Sequence, residues 1–432
     1  MIIRSDISKK GYFMVIKIGH SRIDISPNES DKFYLLGYKT PLRNEPAKGI
    51  HDHIFANALL FDNGEDKLFL WTADLLELPD DTAMDIKTRL SDNFGINRDN
   101  IILGVMHDHS SVRDFHRNWE FGEYDPRYDE FLMDSVVMAY REAEANKRIA
   151  TARYGSELVK GYYSNRNHEG ELSDNKVQVV KFFDETGNAF AAIVNWAVHS
   201  TAMGASNMYL TGDLAGNVDR KLGEKWGFYP VMVNGAAGDS SNRFDRKGKG
   251  FDELERETDG LSALIAEIRT DEEIELGKIR KISLSHEIAP NVSKYHEHLR
   301  KSLEKIRKGE TKTCGDMPQS HLIEKCEAEL KKPAFKLNIT FEVIDIGNLR
   351  FDVFPGELAS AFGEELRSAT EKKVIIAGYA NGFHHYFLKK EDYGISFETI
   401  GNPVPPGESE KIIDKFKEAN RLLDLNQEGT NG

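Results

Sequence analysis

Two imidazoles stand two residues apart in Val105-Met106-His107-Asp108-His109-Ser110-Ser111, directly after the apolar run Asn100-Ile101-Ile102-Leu103-Gly104-Val105. Side chains at i and i+2 of a strand point to the same side, so this spacing sends both rings into one pocket at the strand's end. Neutral imidazole is a good ligand for zinc, and a His-rich strand end placed among other His, Asp and Glu residues suits a hydrolytic metal site. The pattern is weak evidence by itself, because hydrogen-bonded pocket histidines give the same spacing. His199 follows another apolar strand, Phe190-Ala191-Ala192-Ile193-Val194-Asn195-Trp196. Glu357 sits where the run Leu349 to Phe354 becomes a helix, a place where a carboxylate is also stabilised by the helix dipole alone.

These residues need a scaffold, and the chain alternates short apolar runs with helical patterns from Val15 to about Gly250. Ala58 to Asp74 reads as a hairpin with a buried second strand, Asp81 to Leu90 as a helix and Ile101 to Val105 as a strand. Tyr124 to Ala145 is a long helix, Thr151 to Ser156 and Val177 to Phe183 are strands, and Asp213 to Trp226 is again helical. The texture then changes. Phe251 to Thr270, Ser293 to Lys308 and His321 to Lys331 read as helices, the last two rich in Lys and Glu, forming an inserted section of about residues 251–332 away from the chemical centre. Strands return at Phe335 to Ile346, Leu349 to Phe354 and Val374 to Ala377, followed by the aromatic loop Gly378 to Phe387 and a final helix from Ser409 to Leu423. The expected fold is α/β (mixed α+β), with central mixed β-sheets flanked by helices and a helical insertion in the middle region. One domain over residues 1–425 and a flexible tail over 426–432 complete the expected organisation.

The 432 residues carry a net charge of -14, which argues against general nucleic-acid binding. Lys and Arg are dense from Arg280 to Lys332 but interleaved with Glu, the pattern of a solvated helical surface, with His286, His296, His298 and His321 facing solvent. Cys314 and Cys326 are neither a CxxC pair nor a disulfide framework, and two free thiols are the simplest expectation. The N-terminus has no apolar stretch of signal-peptide type and no run approaches a membrane span, so the expectation is a cytoplasmic protein without stable membrane insertion.

Four separated segments together resemble the neutral/alkaline non-lysosomal ceramidases: His107-x-His109-Ser110, Asn195-Trp196-x-x-His199, the Gly238 to Asn242 turn, and Pro355-Gly356-Glu357 followed by the Asn381 aromatic loop. The opening Gly19-His20-Ser21-Arg22-Ile23-Asp24-Ile25-Ser26-Pro27, Gly49-Ile50-His51 and the Ala73-Asp74-Leu75 strand end are similar to that family as well. The resemblance spans Gly19 to Tyr393 and concerns the catalytic domain, in a divergent member.

What the resemblance implies is one Zn(2+) ion held by His107, His199, Glu357 and Tyr386, and hydrolysis of an amide in a small-molecule N-acyl substrate by zinc-activated water. Which of His107 and His109 holds the metal is open from spacing, and His109 is otherwise a proton shuttle or orienting residue. Ser241 matches a family serine near the metal-bound water, and Arg166 an Asn-Arg segment suited to holding the substrate or its oxyanion. Asp24, Asp74, Asp213 and Asp239 are candidates for fixing the tautomer of a ligating imidazole. His51, His53, His384 and His385 are candidates for the pocket lining rather than for ligands.

Departures bear on the substrate. Asp108 adds a carboxylate and Ser111 removes a glycine beside the site, Leu214 replaces an Asn after Asp213, Asn242 replaces a proline and Phe383 a common Tyr. The 39 residues after Tyr393 are too few for a C-terminal β-sandwich, and no membrane-directed helix is evident. The expected substrate is therefore not a classical membrane ceramide. Two alternatives stand beside it: a zinc-dependent hydrolase of an ester or other small polar conjugate, and a non-catalytic ligand-binding member of the fold.

Overall fold

The computed structural model describes residues 15–289, 292–311, 319–333 and 335–428. Among them, three mixed sheets share one interior. The first contains β1 (Lys17–Asp24), β3 (Phe55–Asp62), β4 (Lys67–Ala73), β5 (Ile101–Val105) and β6 (Arg148–Ile149), in the order β5-β4-β3-β1-β6. The second contains β7 (Thr151–Leu158), β9 (Lys176–Phe183), β10 (Ala189–Trp196), β12 (Val231–Asn234) and β14 (Glu272–Ile274), in the order β12-β10-β9-β7-β14. The third runs β15-β16-β17-β19, built from β15 (Ile279–Ile288), β16 (Leu337–Ile346), β17 (Leu349–Val353) and β19 (Lys373–Ala377).

Alternation along the strands explains why the sheets stack. In β3, Leu59 and Phe61 face the shared interior while Ala56, Ala58 and Leu60 face the opposite layer, and in β4 Leu68 and Leu70 oppose Phe69, Trp71 and Ala73. Both faces are buried, which is why the sequence shows unbroken apolar runs. Phe182 and Ile193 of the second sheet and Phe351 and Ile375 of the third complete the shared interior. Each outer face is closed by two helices. The first sheet packs on α1 (Asp80–Phe94) and α2 (Pro126–Ala145), the second on α3 (Asp213–Trp226) and α4 (Phe251–Ala266), and the third on α7 (Ser360–Arg367) and α8 (Glu408–Glu428).

Each of these three sheets pairs antiparallel except at one place: β4 with β5, β10 with β12, and β17 with β19 are parallel. Parallel strands end on the same side, and their carboxyl ends are where open α/β sheets place ligands. His107 follows β5, His199 follows β10, Glu357 follows β17 and Tyr379 follows β19. Short pairs fix these loops: β8 (Ser164–Asn165) with β13 (Ser240–Ser241), β18 (Glu357–Leu358) with β20 (Tyr386–Phe387), and at the periphery β2 (Gly49–Ile50) with β11 (Tyr209–Leu210).

The mixed α/β expectation holds, and α5 (Val292–Arg307) and α6 (Gln319–Lys331) form a helical pair between β15 and β16. Part of the expected helical section is instead extended. β15 alternates Ile282, Leu284, His286 and Ile288 against the polar Lys281, Ser283, Ser285 and Glu287, a period of two that forms a strand on β16. His286 is therefore buried, its Nε2 2.7 Å from Glu408 Oε2, and His296, His298 and His321 are half-buried rather than fully solvent-facing. Helix α8 continues to Glu428, so a tail starting at Asn426 is not seen, while residues 429–432 and Cys314 lie outside the described residues. Cys326 is a buried free thiol. No helix among the described residues is long and apolar enough to cross a membrane.

Candidate metal centre

His107 ends β5 in a left-handed conformation, φ 57°, which a β-carbon makes costly without compensating contacts. The compensation is a hydrogen bond of 2.9 Å between its Nδ1 and the Leu76 carbonyl. His199 is held alike, with Nδ1 3.0 Å from the Ser240 carbonyl. A ring that donates Nδ1–H to a carbonyl presents Nε2 as a lone pair. Both Nε2 atoms meet one acceptor, Glu357 Oε2, at 3.6 Å from His107 and 3.0 Å from His199. Burial drives His107 down to about 3 and His199 well below the ordinary imidazole range, so both rings are neutral. Two imidazole lone pairs facing a carboxyl oxygen need an electrophile among them.

Zinc bonds to nitrogen and oxygen of about 2.0–2.1 Å put tetrahedral ligand atoms about 3.3–3.4 Å apart, a value bracketed by the two observed separations. His199 Nε2 is moreover buried without a hydrogen-bond partner. The donor set therefore fits a zinc ion. His109 joins the cluster, since His107, His109 and His199 each offer a nitrogen within 4.8 Å of the others. The rings of His107 and His109 lie 4.8 Å apart, brought together by a tight turn beyond the strand, where Asp108 accepts from Ser110 N, rather than by strand pleating. Both ring nitrogens of His109 lack a partner, and its ring leans on Tyr38 at 4.8 Å.

Glu357 is fully enclosed, and burial lifts its pKa above the carboxylate range while His107, Arg166, Tyr386 and Tyr379 oppose the shift. Tyr379 donates to Glu357 Oε2 at 3.3 Å, and Tyr386 pairs with Glu357 in the backbone ladder of β18 and β20. Arg166 gives Nη2 to the Tyr386 hydroxyl (3.1 Å) and to the Gly238 carbonyl (2.8 Å), and Nε to Glu398 Oε1 (2.7 Å). Its planar fork thus orients Tyr386. Ser241 bridges to His199 through the backbone, and its Oγ accepts from Arg243 N at 3.2 Å.

The four aspartates lie elsewhere than expected. Asp24 is exposed, paired with His53 Nδ1 at 2.8 Å beside a cavity of about 380 Å³ shared with Arg22 and Asp52. Asp74 accepts from Phe55 N (2.9 Å) and packs against Gly216. Asp213 takes N–H groups from Ala202, Met203 and Leu214, fixing the loop after His199. Asp239 accepts from Ser360 N (2.7 Å), Ser360 Oγ (3.0 Å) and Asn165 Nδ2 (3.1 Å), anchoring the start of α7 just beyond Glu357. None of them bonds an imidazole of the cluster. Backbone carbonyls of Leu76 and Ser240 take the tautomer-fixing part instead, because the left-handed turn and the β13 edge bring them closer. Asp108 also turns away: buried, with Oδ1 on Ser110 N and its charge opposed by Asp213, it is held well above the carboxylate range, chiefly by burial. His51 stacks on Phe251 at 3.5 Å and pairs with Asp52, while His384 pairs with Asp80 at 3.0 Å.

Asn234 is a positioning residue that the sequence reading passed over. Its Nδ2 donates to the carbonyls of Met106 (3.3 Å) and Val198 (3.2 Å), the residues before His107 and His199, so one amide ties the two histidine loops. Asn195 does the same between sheets, binding Val233 O at 3.0 Å and Ile376 O at 2.9 Å. Tyr379 and Glu398 were also missed; Tyr379 had a signal in the aromatic loop, whereas nothing around Phe397-Glu398-Thr399 marks a site.

Residues 16–226 match the family model for "Neutral/alkaline non-lysosomal ceramidase, N-terminal". The chain is ceramidase-like. Neutral ceramidase B and neutral ceramidase A of Dictyostelium discoideum are 28% and 25% identical to it, over 46% and 42% of this chain and 30% and 28% of those relatives. The aligned stretch is thus under a third of each relative. Neutral ceramidase from Pseudomonas aeruginosa superimposes with a TM-score of 0.74 at 22% identity, covering 96% of the ceramidase-like chain and 75% of its counterpart. A ceramidase complexed with C2 gives 0.74 at 20% identity, over 96% and 76%. The family match includes His107, His109, Arg166 and His199, whereas Ser241, Glu357 and Tyr386 lie beyond it. The fold match extends over the region that carries them.

Proposed function

We propose that this chain is a zinc-dependent hydrolase of a linear amide, acting on a small N-acyl compound rather than on a classical membrane ceramide. The observation that carries the reading is the meeting of His107 Nε2, His199 Nε2 and Glu357 Oε2 at separations of 3.6 and 3.0 Å, with His199 Nε2 buried and without a hydrogen-bond partner. The ceramidase likeness supports the amide as the bond cleaved. His107, His199 and Glu357 hold the ion in this reading, with Tyr386 as the fourth donor. A zinc ion there supplies Lewis acidity, which the side chains alone lack for activating water and an amide carbonyl at neutral pH.

The remaining steps belong to the protein. His109, whose two ring nitrogens have no partner among the described residues beside the cluster, is the side chain placed to relay a proton from the attacking water to the leaving amine. Arg166 holds the Tyr386 hydroxyl in place as a donor to the ion, and Tyr379 donates to Glu357 Oε2. Ser241 is the neighbour that orders the His199 side of the pocket. Elemental analysis of the purified protein, followed by an amidase screen of short N-acyl compounds against long-chain ceramides, tests the reading. About one zinc per chain and turnover of a short amide are expected. Tight binding of amides without turnover by zinc-replete protein would overturn the hydrolase reading.

A further inference from the structure

We infer that Arg43 is the positioning residue that aims the His109 ring at the cluster. The inference rests on the zinc amidase reading, in which His109 relays the proton. His107 and His199 are each anchored through a ring nitrogen, by the Leu76 and Ser240 carbonyls. His109 has no such anchor, since both of its ring nitrogens lack a partner among the described residues. Its direction is therefore set by what holds its main chain and what flanks its ring.

Arg43 holds the main chain. It stands in the short helical turn Pro41–Asn44, and its side chain is fully buried. The guanidinium donates from Nη2 to the His109 carbonyl at 3.2 Å, from Nε to the Gly37 carbonyl at 2.9 Å and from Nη1 to the Asn207 carbonyl at 2.8 Å. A planar fork of N–H groups can serve three separate segments at once, which a single ammonium on a flexible stem does not reproduce.

The same segments meet around His109. Gly37, at φ 91°, lies so close that an added β-carbon would stand 2.7 Å from the His109 Cα. Tyr38 sets its ring 4.8 Å from the His109 ring, and its hydroxyl donates to the Met203 carbonyl at 2.6 Å. Asn207 gives Nδ2 to the Oγ of Ser110, the residue after His109, at 3.1 Å. Removing Arg43 thus frees the His109 carbonyl and the Tyr38 flank together.

The bonding is unusual for a buried cation. All three partners are carbonyls, and among the described residues no carboxylate pairs with Arg43. Burial lowers its pKa to about 10, which still leaves it charged at neutral pH. A buried charge without an ionic partner is a costly way to close a loop. Here it secures the histidine of the cluster that has no ring anchor.

The test is a double-mutant cycle on hydrolysis of hexanoylethanolamine by zinc-loaded protein, read beside the histidine imidazole NMR spectrum. Arg43→Met should lower kcat about ten- to a hundredfold, the scale of a misplaced catalytic group, with KM within about twofold and zinc retained. In a His109→Ala background the same substitution should cost less than about twofold, because the residue it acts through is already gone. Losses that multiply across the two backgrounds overturn the inference. The NMR arm needs no turnover. The His109 resonance, assigned by its loss in His109→Ala, should shift or broaden in Arg43→Met while those of His20 and His168 stay in place. An unmoved His109 resonance overturns the inference whether or not any amide is cleaved. A parent without turnover whose His109 resonance responds to Arg43 removes the amidase reading and leaves the positioning standing. If Arg43→Met does not fold, Arg43→Lys keeps a cation in the same space without the fork and carries both readouts.

Discussion

Two buried clusters in this molecule contain comparable chemistry and opposite bonding. Around Arg22, Asp219 makes an ion pair with the guanidinium and accepts from Asn57 at 3.2 Å, Asp74 accepts from Phe55 N, and Asp52 accepts from Gly212 N and Thr211 Oγ1. The guanidinium itself lies between the Phe55 and Tyr229 rings at 3.8 and 3.9 Å. In that cluster the carboxylates all face donors from within the protein, with Asp219 Oδ1 a buried oxygen left without a partner. In the His107–His199–Glu357 cluster two imidazole nitrogens converge on one carboxyl oxygen and His199 Nε2 has no partner, the arrangement on which the zinc proposal rests. Burial of ionisable side chains does not distinguish a site from a brace; the direction of the unsatisfied lone pairs does.

The sharpest way to break the contrast is Glu357→Ala, which should remove zinc from the purified protein and lower kcat/KM by at least about a thousandfold, read by elemental analysis and amide turnover. Zinc retained at full stoichiometry would put the two clusters in the same class. Arg166→Met should come next, lowering kcat about ten- to a hundredfold with zinc retained, because it loosens Tyr386 without removing a ligand. A loss confined to stability would assign Arg166 to the brace.

The Asp cluster has its own signature. Burial first, then repulsion from Asp219, lifts Asp74 to about 8, whereas an unfolded aspartate titrates near 3.9. The fold holds a proton that the unfolded chain releases, so this contribution to stability is complete below about pH 4 and is lost as pH rises to about 8. Asp74→Asn should therefore flatten the decline, by at most about 1.4 kcal/mol per pH unit between pH 5 and 7 in urea titrations, while keeping zinc. Unchanged slopes would show that Asp74 is not the proton reservoir. The smallest effect is expected of Asp24→Ala, within about 0.5 kcal/mol of the parent and with ordinary turnover, because Asp24 is exposed and remote from the cluster.

Much of this was legible in the residues because burial on both faces writes apolar runs into strands. The stretches that deliver His107, His199 and Glu357 were readable for that reason, as was α3 from Asp213 to Trp226. What escaped notice depends on pairs of residues far apart. Asp24, Asp74, Asp213 and Asp239 have the right chemistry in the right segments, yet Asp74, Asp213 and Asp239 bond donors that only the folded chain brings near, and Asp24 accepts from Ser26 N in its own turn. The carbonyls of Leu76 and Ser240 have no sequence signature, since every residue owns one. β15 was hidden by its charges, which obscure the two-residue alternation on its inner face. Lys325 was read as part of a solvated surface, and only the packing of α6 on the 397–401 segment lays it against Gly401.

On the zinc proposal, the three parallel pairings have a consequence for how the ion would be acquired. Each sheet contributes at its own carboxyl edge, and His107 and Tyr386 are separated by most of the chain, so no partial chain owns a competent binding surface. Capture must follow closure of all three sheets around their common interior. Occupancy then reports on global assembly, and chelation should lower the melting temperature of the whole unit rather than loosen one loop.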